Sequence, residues 1–538
     1  MRVSPLGFLK NGALLLCLVA PSAWMIATIP PLWRDQDAYN QVTQPALVAT
    51  YWGHAPAYCY VAKAPLFLGA QLERWRGSAP ENSQLASVPI TNSGVWLLII
   101  AQHLALCGAA FYFIVTVSRF FWIRLVLALI WASNALFYTF AHCVGSETLS
   151  MILIVAVTAT ALRLIRSPCE PRWTEWYVFS IGLSFCLLSR HINLLLVLVL
   201  PVAFILAWIL SHLSRLRVPG DTERGWLRES GRKYLRQAVI ATGIGIACFS
   251  MASSLTHNLS RKTKFVPHSR VGFTFLWRLH FLKTLRPESR AAILKKVSDR
   301  TRSADAKKLI ALLQQTDDEG SDLDAAPFLK RAIPLLFPLE GVVRWERLDG
   351  ALNQMAFAFL LPPTPEYLDA ARTDFVAALK MPSTSISSQL FKSTGYYFEH
   401  KEEMRALESL STFRNSSDEQ IQQWPVQYGY FQLWRGLTYD KALLIWFLAL
   451  LSHIVVTRTA PNGRITRSFG IALTAVGILM IAFTCVVAEF IPRYGLPMWQ
   501  LLLLSLYILM GVIADFWLLG PTKRRSLLSP PYERRLGN

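Results

Sequence analysis

Asp35 and Asp37 stand two residues apart directly behind the first hydrophobic run, in the stretch Pro30-Pro31-Leu32-Trp33-Arg34-Asp35-Gln36-Asp37-Ala38-Tyr39. A carboxylate pair beside an arginine and two aromatics, where an apolar segment has just ended, is a set of groups able to move a proton at a membrane surface. Either aspartate is a candidate general base. Read as D-x-D, the pair can also hold Mg²⁺ or Mn²⁺ with substrate oxygens, although alternate side chains of an extended segment share a face without necessarily forming a metal site. His54, in Trp52-Gly53-His54-Ala55-Pro56, is a candidate substrate contact or the side chain of a packed turn. Four further groups stand at the ends of apolar runs: His142 with Glu147, Arg190 with His191, Glu489, and Arg493 with Tyr494. Taken singly, each also suits an interfacial anchor or a solvated loop charge, because long cations snorkel to headgroups. Taken together they carry more weight, since charges near the membrane that face a bundle interior are costly without a reason.

The elements that must position these groups are transmembrane helices. The chain has 538 residues, of which 53% are hydrophobic and only 16% charged, and its mean hydropathy is +0.34. This excludes an ordinary soluble enzyme. Its 18 Trp, 17 Tyr and 30 Phe suit two interfacial belts. About ten mostly apolar runs read as crossing segments, several of them short: 13–30, 94–117, 125–140, 149–164, 176–188, 194–212, 238–255, 442–457, 469–488 and 496–518. With the N-terminus inside, alternate loops and the C-terminal tail hold 22 of the 54 bases but only six of the 34 acids. This asymmetry is the positive-inside pattern, and it sets both termini in the cytoplasm. The net charge of +20 is therefore topological and gives no reason to propose nucleic acid. The small residues Pro21-Ser22-Ala23 raise the alternative of a cleaved signal peptide, but the run continues through Trp24-Met25-Ile26-Ala27 and the even span count favours an uncleaved helix.

The expected fold is thus an all-α polytopic membrane protein of about ten helices with both ends inside, carrying a mainly helical extracytoplasmic domain. Residues 1–255 form an N-terminal membrane module whose first outer loop, 31–92, holds the acidic pair. Residues 256–440 form the outer domain, and 441–538 the last spans and a basic tail. Within the first loop, 56–76 mixes apolar residues with Lys63, Glu73, Arg74 and Arg76, which predicts a helix lying in the interface. In the outer domain, Thr364-Pro365-Glu366 reads as an N-cap, a first-position proline and a first-turn acid. Leu368, Ala371, Phe375 and Ala378 then mark one face, and Pro382 ends the helix. Ser303 similarly opens a helix carrying Leu309, Leu312 and Leu313. The aromatic run from Trp424 to Trp434 suits either sugar stacking or an interfacial belt. Cysteines are mostly in apolar runs and read as buried thiols, with Cys59 and Cys143 as the one candidate bridge. His103 and His453 lie in apolar runs and are expected to bond across helices.

This pattern resembles the GT-C superfamily of integral-membrane glycosyltransferases, which use polyprenyl-phosphate-linked sugars and include mannosyltransferases and aminoarabinose transferases. The residues carrying the likeness are Arg34 to Tyr39, Gly145-Ser146-Glu147, Ser189-Arg190-His191-Ile192-Asn193, and 489–497 with Arg493-Tyr494 before Pro497. It covers the membrane frame and leaves 256–440 without a match. The resemblance implies an inverting transferase that moves a sugar from the lipid-linked donor to a glycan, lipid or protein acceptor at the outer face of a bacterial inner membrane. Asp37 or Asp35 would be the base. Arg34, Tyr39, His54, Glu147, Arg190, His191, Arg493 and Tyr494 would bind substrate. No cofactor is implied beyond a divalent cation at Asp35 and Asp37. Two rivals remain, a lipid-linked glycan polymerase or ligase and a polytopic transporter. The second would favour broken helices or ionisable groups at mid-membrane, which the sequence does not display.

Overall fold

The structure is a computed structural model describing residues 5–29, 31–33, 38, 41–42, 56–77, 89–166, 171–217, 221–261, 271–315, 323–340, 343–381, 438–457, 461–488 and 490–518. Among the described residues it is helical apart from one pair of two-residue strands, β1 (Leu32–Trp33) and β2 (Cys143–Val144), which run parallel with Leu32 opposite Cys143 and Trp33 opposite Val144. The membrane-type helices are α1 (Pro5–Thr28), α4 (Asn92–Val117), α5 (Phe121–Ala132), α6 (Ala135–Ala141), α7 (Ser146–Arg166), α8 (Trp173–Ser189), α9 (Val199–Arg217), α10 (Asp221–Arg261), α17 (Tyr439–Thr457), α18 (Pro461–Val487) and α19 (Leu496–Leu518). Short helices α2 (Pro56–Val61) and α3 (Lys63–Trp75) lie within residues 31–92, where the sequence predicts one interfacial helix. Helices α11 (Val271–Arg278), α12 (Pro287–Arg300), α13 (Ala304–Gln314), α14 (Ala325–Leu336), α15 (Trp345–Leu360) and α16 (Pro365–Lys380) occupy the long insertion.

Among the described residues, seven helices are long and apolar enough to cross a membrane, and the chain is an all-α multi-pass membrane protein. Every one of the ten apolar runs falls on helix, with three differences from the sequence reading. The run 125–140 is not one helix. It breaks at Ser133 and Asn134, because the Asn134 side chain accepts from Leu136 N at 3.0 Å and starts α6 afresh, while Ser133 Oγ donates to Ile130 O at 2.8 Å. The run 194–212 begins as a 3₁₀ helix, His191–Leu198, before α9. The run 238–255 is the middle of the 41-residue α10, so the bases expected in a loop are carried on helix.

The helix ends sort into two sets. At one, Ser118 Oγ donates to Asp515, Arg124 Nε to Ser118 O at 2.6 Å, and Arg166 Nη1 to Thr116 O and Val117 O at 2.7 Å each, joining the C-terminal ends of α4, α7 and α19. These side chains satisfy carbonyls that a helix end leaves open. At the other set, Leu32 N donates to His142 O at 3.2 Å and Gln500 Nε2 to Met151 O at 2.6 Å, joining α1, α6, α7 and α19.

Helix α3 buries Leu66, Gly69 and Ala70 against α4 and exposes Phe67, Leu68, Leu72 and Trp75, as α2 exposes Tyr60. Glu73 Oε1 accepts from Ser93 N at 2.7 Å and so closes the first turn of α4. Gly69 and Gly94 permit the crossing, since a Cβ at Gly69 would lie 2.1 Å from the Gly94 backbone.

The insertion has its own core, from Phe275 through Leu309 and Leu352 to Tyr367. Ser303 Oγ and Thr364 Oγ1 cap α13 and α16 as expected, accepting from Ala306 N and Tyr367 N at 3.3 Å each. Leu309, Leu312 and Leu313 are buried. Leu368 departs from its expected face and is half exposed, because α16 turns Tyr367 toward the domain and Phe375 and Ala378 toward the membrane core. Arg278 pairs with Asp374, Tyr367 donates to Val486 O, and Phe490 N reaches Asp374 at 3.4 Å, so the insertion is fastened to the end of α18. Pro382 and the aromatic run 424–434 lie outside the described residues. Cys59 and Cys143 are buried thiols that form no bridge with each other, and burial pushes the Cys59 thiol up to about 12.

Two outcomes follow. Gly69→Val should force α3 from α4 and cost about 1 to 3 kcal/mol, as overpacking does, measurable as a lowered thermal midpoint in detergent. In the insertion, the hydrogen-bonded Arg347 guanidinium holds the Asp305 carboxyl below its usual value, at 2.6 and 2.9 Å. A carboxyl lowered on folding contributes stability that is complete above its unfolded value, near about 3.9, and is lost as pH falls through the folded value. Thermal scans from pH 6 down to pH 3 should therefore show a smaller acid-side loss for Asp305→Asn than for the wild type.

Candidate functional site

The second set of helix ends holds a turn that leaves the helical pattern, Ala141 to Gly145, between α6 and α7. Its backbone groups need partners. Gln102 Nε2 on α4 donates to Ala141 O at 3.0 Å and to Cys143 O at 3.1 Å. Gln102 Oε1 accepts from Tyr58 Oη at 3.1 Å, and Tyr58 Oη accepts from Gly145 N at 2.9 Å. Thr148 Oγ1 donates to Phe140 O. The turn is thereby held from α2, α4, α7 and β1 at once.

Glu147 sits in the first turn of α7, where the positive helix end favours an anion, and is 1% exposed. Its Oε1 lies 3.3 Å from Arg190 Nη1, whose side chain is 15% exposed. Arg190 occupies the extended residue between α8 and the 3₁₀ helix that His191 opens. Beneath it, Asn193 Nδ2 donates to Ser150 Oγ at 2.8 Å, Cys186 O at 2.9 Å and Ser189 Oγ at 3.0 Å, tying the Arg190 bend to α7. The structure thus brings Glu147 and Arg190 together from two separate turns, with His191 the residue after Arg190. Arg493 and Tyr494 lie in the 3₁₀ turn Pro492–Gly495 at the head of α19. Tyr494 packs on the main core, and Gln500, in the second turn of α19, reaches Met151, one helical turn beyond Glu147.

Asp35, Asp37, Arg34, Tyr39, His54 and Glu489 lie outside the described residues, and with Asp35 and Asp37 the suggested metal position. Among the described residues no group of His, Cys, Asp and Glu is arranged to hold a metal ion. The chain on either side of the acidic motif is nonetheless located. It leaves from Trp33, paired with Val144, and Val42 packs in a small core with Tyr58, Leu66, Val95 and Val144. Both flanks of the motif therefore rest on the strand that leads directly into Glu147.

Four buried polar atoms around this end carry no hydrogen bond among the described residues: Gln41 Nε2 and Oε1, Asn193 Oδ1 and Gln500 Oε1. Buried polar groups left open in this way are characteristic of a site that takes a ligand or water. Sequence reasoning missed Gln41, Tyr58, Gln102 and Gln500, because a single amide or hydroxyl within an apolar run carries no motif. Their only signal is polarity at a buried helical position. His103 and His453 are bonded across elements as expected, His103 to Ser22 and His142, and His453 to Gly463 O at 3.1 Å.

The arrangement provides a cation held by a buried carboxylate at one mouth of the helix bundle. It can orient an anionic group brought to the membrane surface. No protein-family model matches this chain, and no curated protein matches it.

The buried pair makes a thermodynamic test. Glu147→Gln or Arg190→Met alone leaves one buried charge without its partner and should lower stability by about 3 kcal/mol. The double substitution should recover most of that loss in a double-mutant cycle of chemical unfolding in detergent.

Proposed function

We propose that the protein is a glycosyltransferase of the membrane, moving a sugar from a polyprenyl-phosphate-linked donor to an acceptor at the outer face. The observation that carries this reading is the buried Glu147–Arg190 pair beside the strand from which the acidic motif departs. In this reading ten segments cross the bilayer, α5 and α6 counting as one, with both termini in the cytoplasm. The loop charges support that orientation. The membrane is a bacterial inner membrane and the site faces outward.

An acceptor hydroxyl oxygen attacks the anomeric carbon from the face opposite the phosphate, while Asp37 or Asp35 takes its proton. The carbon–oxygen bond to the phosphate breaks, the configuration inverts, and the electron pair leaves on the polyprenyl phosphate. Arg190 meets that developing charge, with Glu147 fixing its guanidinium plane, and His191, Arg493 and Tyr494 complete the phosphate and sugar contacts. Arg34, Tyr39 and His54 contribute from the first outer loop, and a divalent cation at Asp35 and Asp37 is the variant with metal assistance. The acceptor is a lipid, glycan or protein.

A lipid-linked glycan polymerase or ligase would share the arginines and depend less on the aspartates. One observation favours a second class, a transporter. Trp131 Nε1 and Asn134 Nδ2 are buried without a hydrogen bond among the described residues where the third run breaks, and interrupted helices lining a cavity are a feature of transporters.

The separating experiment measures transfer of radiolabelled sugar from a panel of polyprenyl-phosphate donors in membranes holding the wild type, Asp35→Asn, Asp37→Asn or Arg190→Lys. The wild type should consume one donor, and loss of the base should slow transfer by about 10²- to 10⁴-fold. A wild type that consumes no donor, or aspartate variants as active as wild type, would move the polymerase and transporter readings ahead.

A further inference from the structure

Two imidazoles lie between the helices that hold the site, and their proton positions follow from their neighbours. The Ile29 carbonyl can only accept, so His142 Nε2, 2.9 Å away, carries the hydrogen. His142 Nδ1 is then the acceptor for His103 Nε2 at 3.1 Å, and His103 Nδ1 accepts from Ser22 Oγ at 2.9 Å. The chain of bonds has one direction, with each ring neutral and in a single tautomer. Both rings are buried, at 0% and 1% exposure.

These bonds fasten the C-terminal end of α1 to the turn that precedes Glu147. The His142 side chain holds Ile29, and its own carbonyl accepts from Leu32 N, so one residue grips the chain on both sides of the proline pair 30–31. Leu32 then pairs with Cys143, and Asp35 comes two residues after Trp33. Ser22, Cys107 and the Trp96 ring lie beside the two rings.

We propose that His142, oriented by His103, is the positioning residue that holds β1, from which the acidic motif departs, on β2, which leads into Glu147. What is positioned rests on the glycosyl-transfer reading, but the positioning itself does not. A histidine that merely fills space is the competing account, and the two differ atom by atom. His142→Gln keeps an N–H donor where Nε2 stands and can still reach Ile29. His142→Asn keeps only the side facing His103, and His142→Phe keeps only the volume.

The test uses the full chain in native membranes. Leu32→Cys stands opposite the native Cys143, and mild oxidation joins the two only while β1 is paired with β2. The linked peptide is quantified by mass spectrometry. His142→Phe and His142→Asn should cut its yield by about fivefold, the population change that one neutral hydrogen bond carries, and His142→Gln should restore it. His103→Gln, which keeps the donor toward His142, should stay near wild type, and His103→Leu should fall with the first group. Thermal midpoints of all variants separate misfolding from lost pairing. In sugar transfer, kcat should follow the same order while the donor KM stays constant. Linkage that is unchanged in every variant, or a Phe variant equal to the Gln variant, overturns the proposal. Linkage in the expected order without sugar transfer by the wild type upholds the positioning and overturns the glycosyl-transfer reading instead.

Discussion

A backbone that leaves the helical pattern near the hydrocarbon core must find partners for its own amides and carbonyls, because little water is there to serve them. The turn from Ala141 to Gly145 meets this constraint with side chains from distant parts of the chain. Gln102 and Tyr58 form a closed set of donors and acceptors around it, and β1 supplies the opposite edge. Losing any one member would leave a buried group unsatisfied rather than release a surface contact, a cost of about 1 to 3 kcal/mol each. The position of Glu147, two residues beyond, is inherited from that arrangement.

The charged pair built on this turn differs from the basic residues at the other set of helix ends. There Arg124 and Arg166 spend their hydrogen bonds on backbone carbonyls that terminate helices, a structural use of arginine. Arg190 is instead set against a carboxylate 1% exposed to solvent, with a bend beneath it stabilised by Asn193. The same residue type thus serves as a helix terminator on one side and as a fixed cation on the other.

What the sequence made legible follows a physical rule. Apolar length set by the bilayer predicts helices well, and all ten runs fall on them, because burial in lipid leaves a chain few alternatives. Caps were equally legible at Ser303 and Thr364, where local hydrogen bonding is decided within four residues. The break at Asn134 was hidden because hydropathy averages over a window and the interruption lies in two residues. The partners of the Ala141 turn were hidden for a different reason. Gln102 and Tyr58 are tied to it across about 40 and 87 residues of chain, and no local pattern encodes such a tie. Glu147 and Arg190 were each visible as polar residues at helix ends, but their pairing required the packing of α7 on α8.

Helix α10 has 41 residues without interruption, which at about 1.5 Å per residue makes a rod of about 60 Å. A bilayer with its headgroups is only about 40 to 45 Å thick. The rod therefore outreaches the membrane, and its far end at Arg261 stops ten residues short of the first helix of the insertion. Such a strut sets its attachment point at Arg261 relative to the span by helix geometry alone. Inserting or deleting a single residue within it would both raise or lower the attachment by one rise and turn it by about 100°.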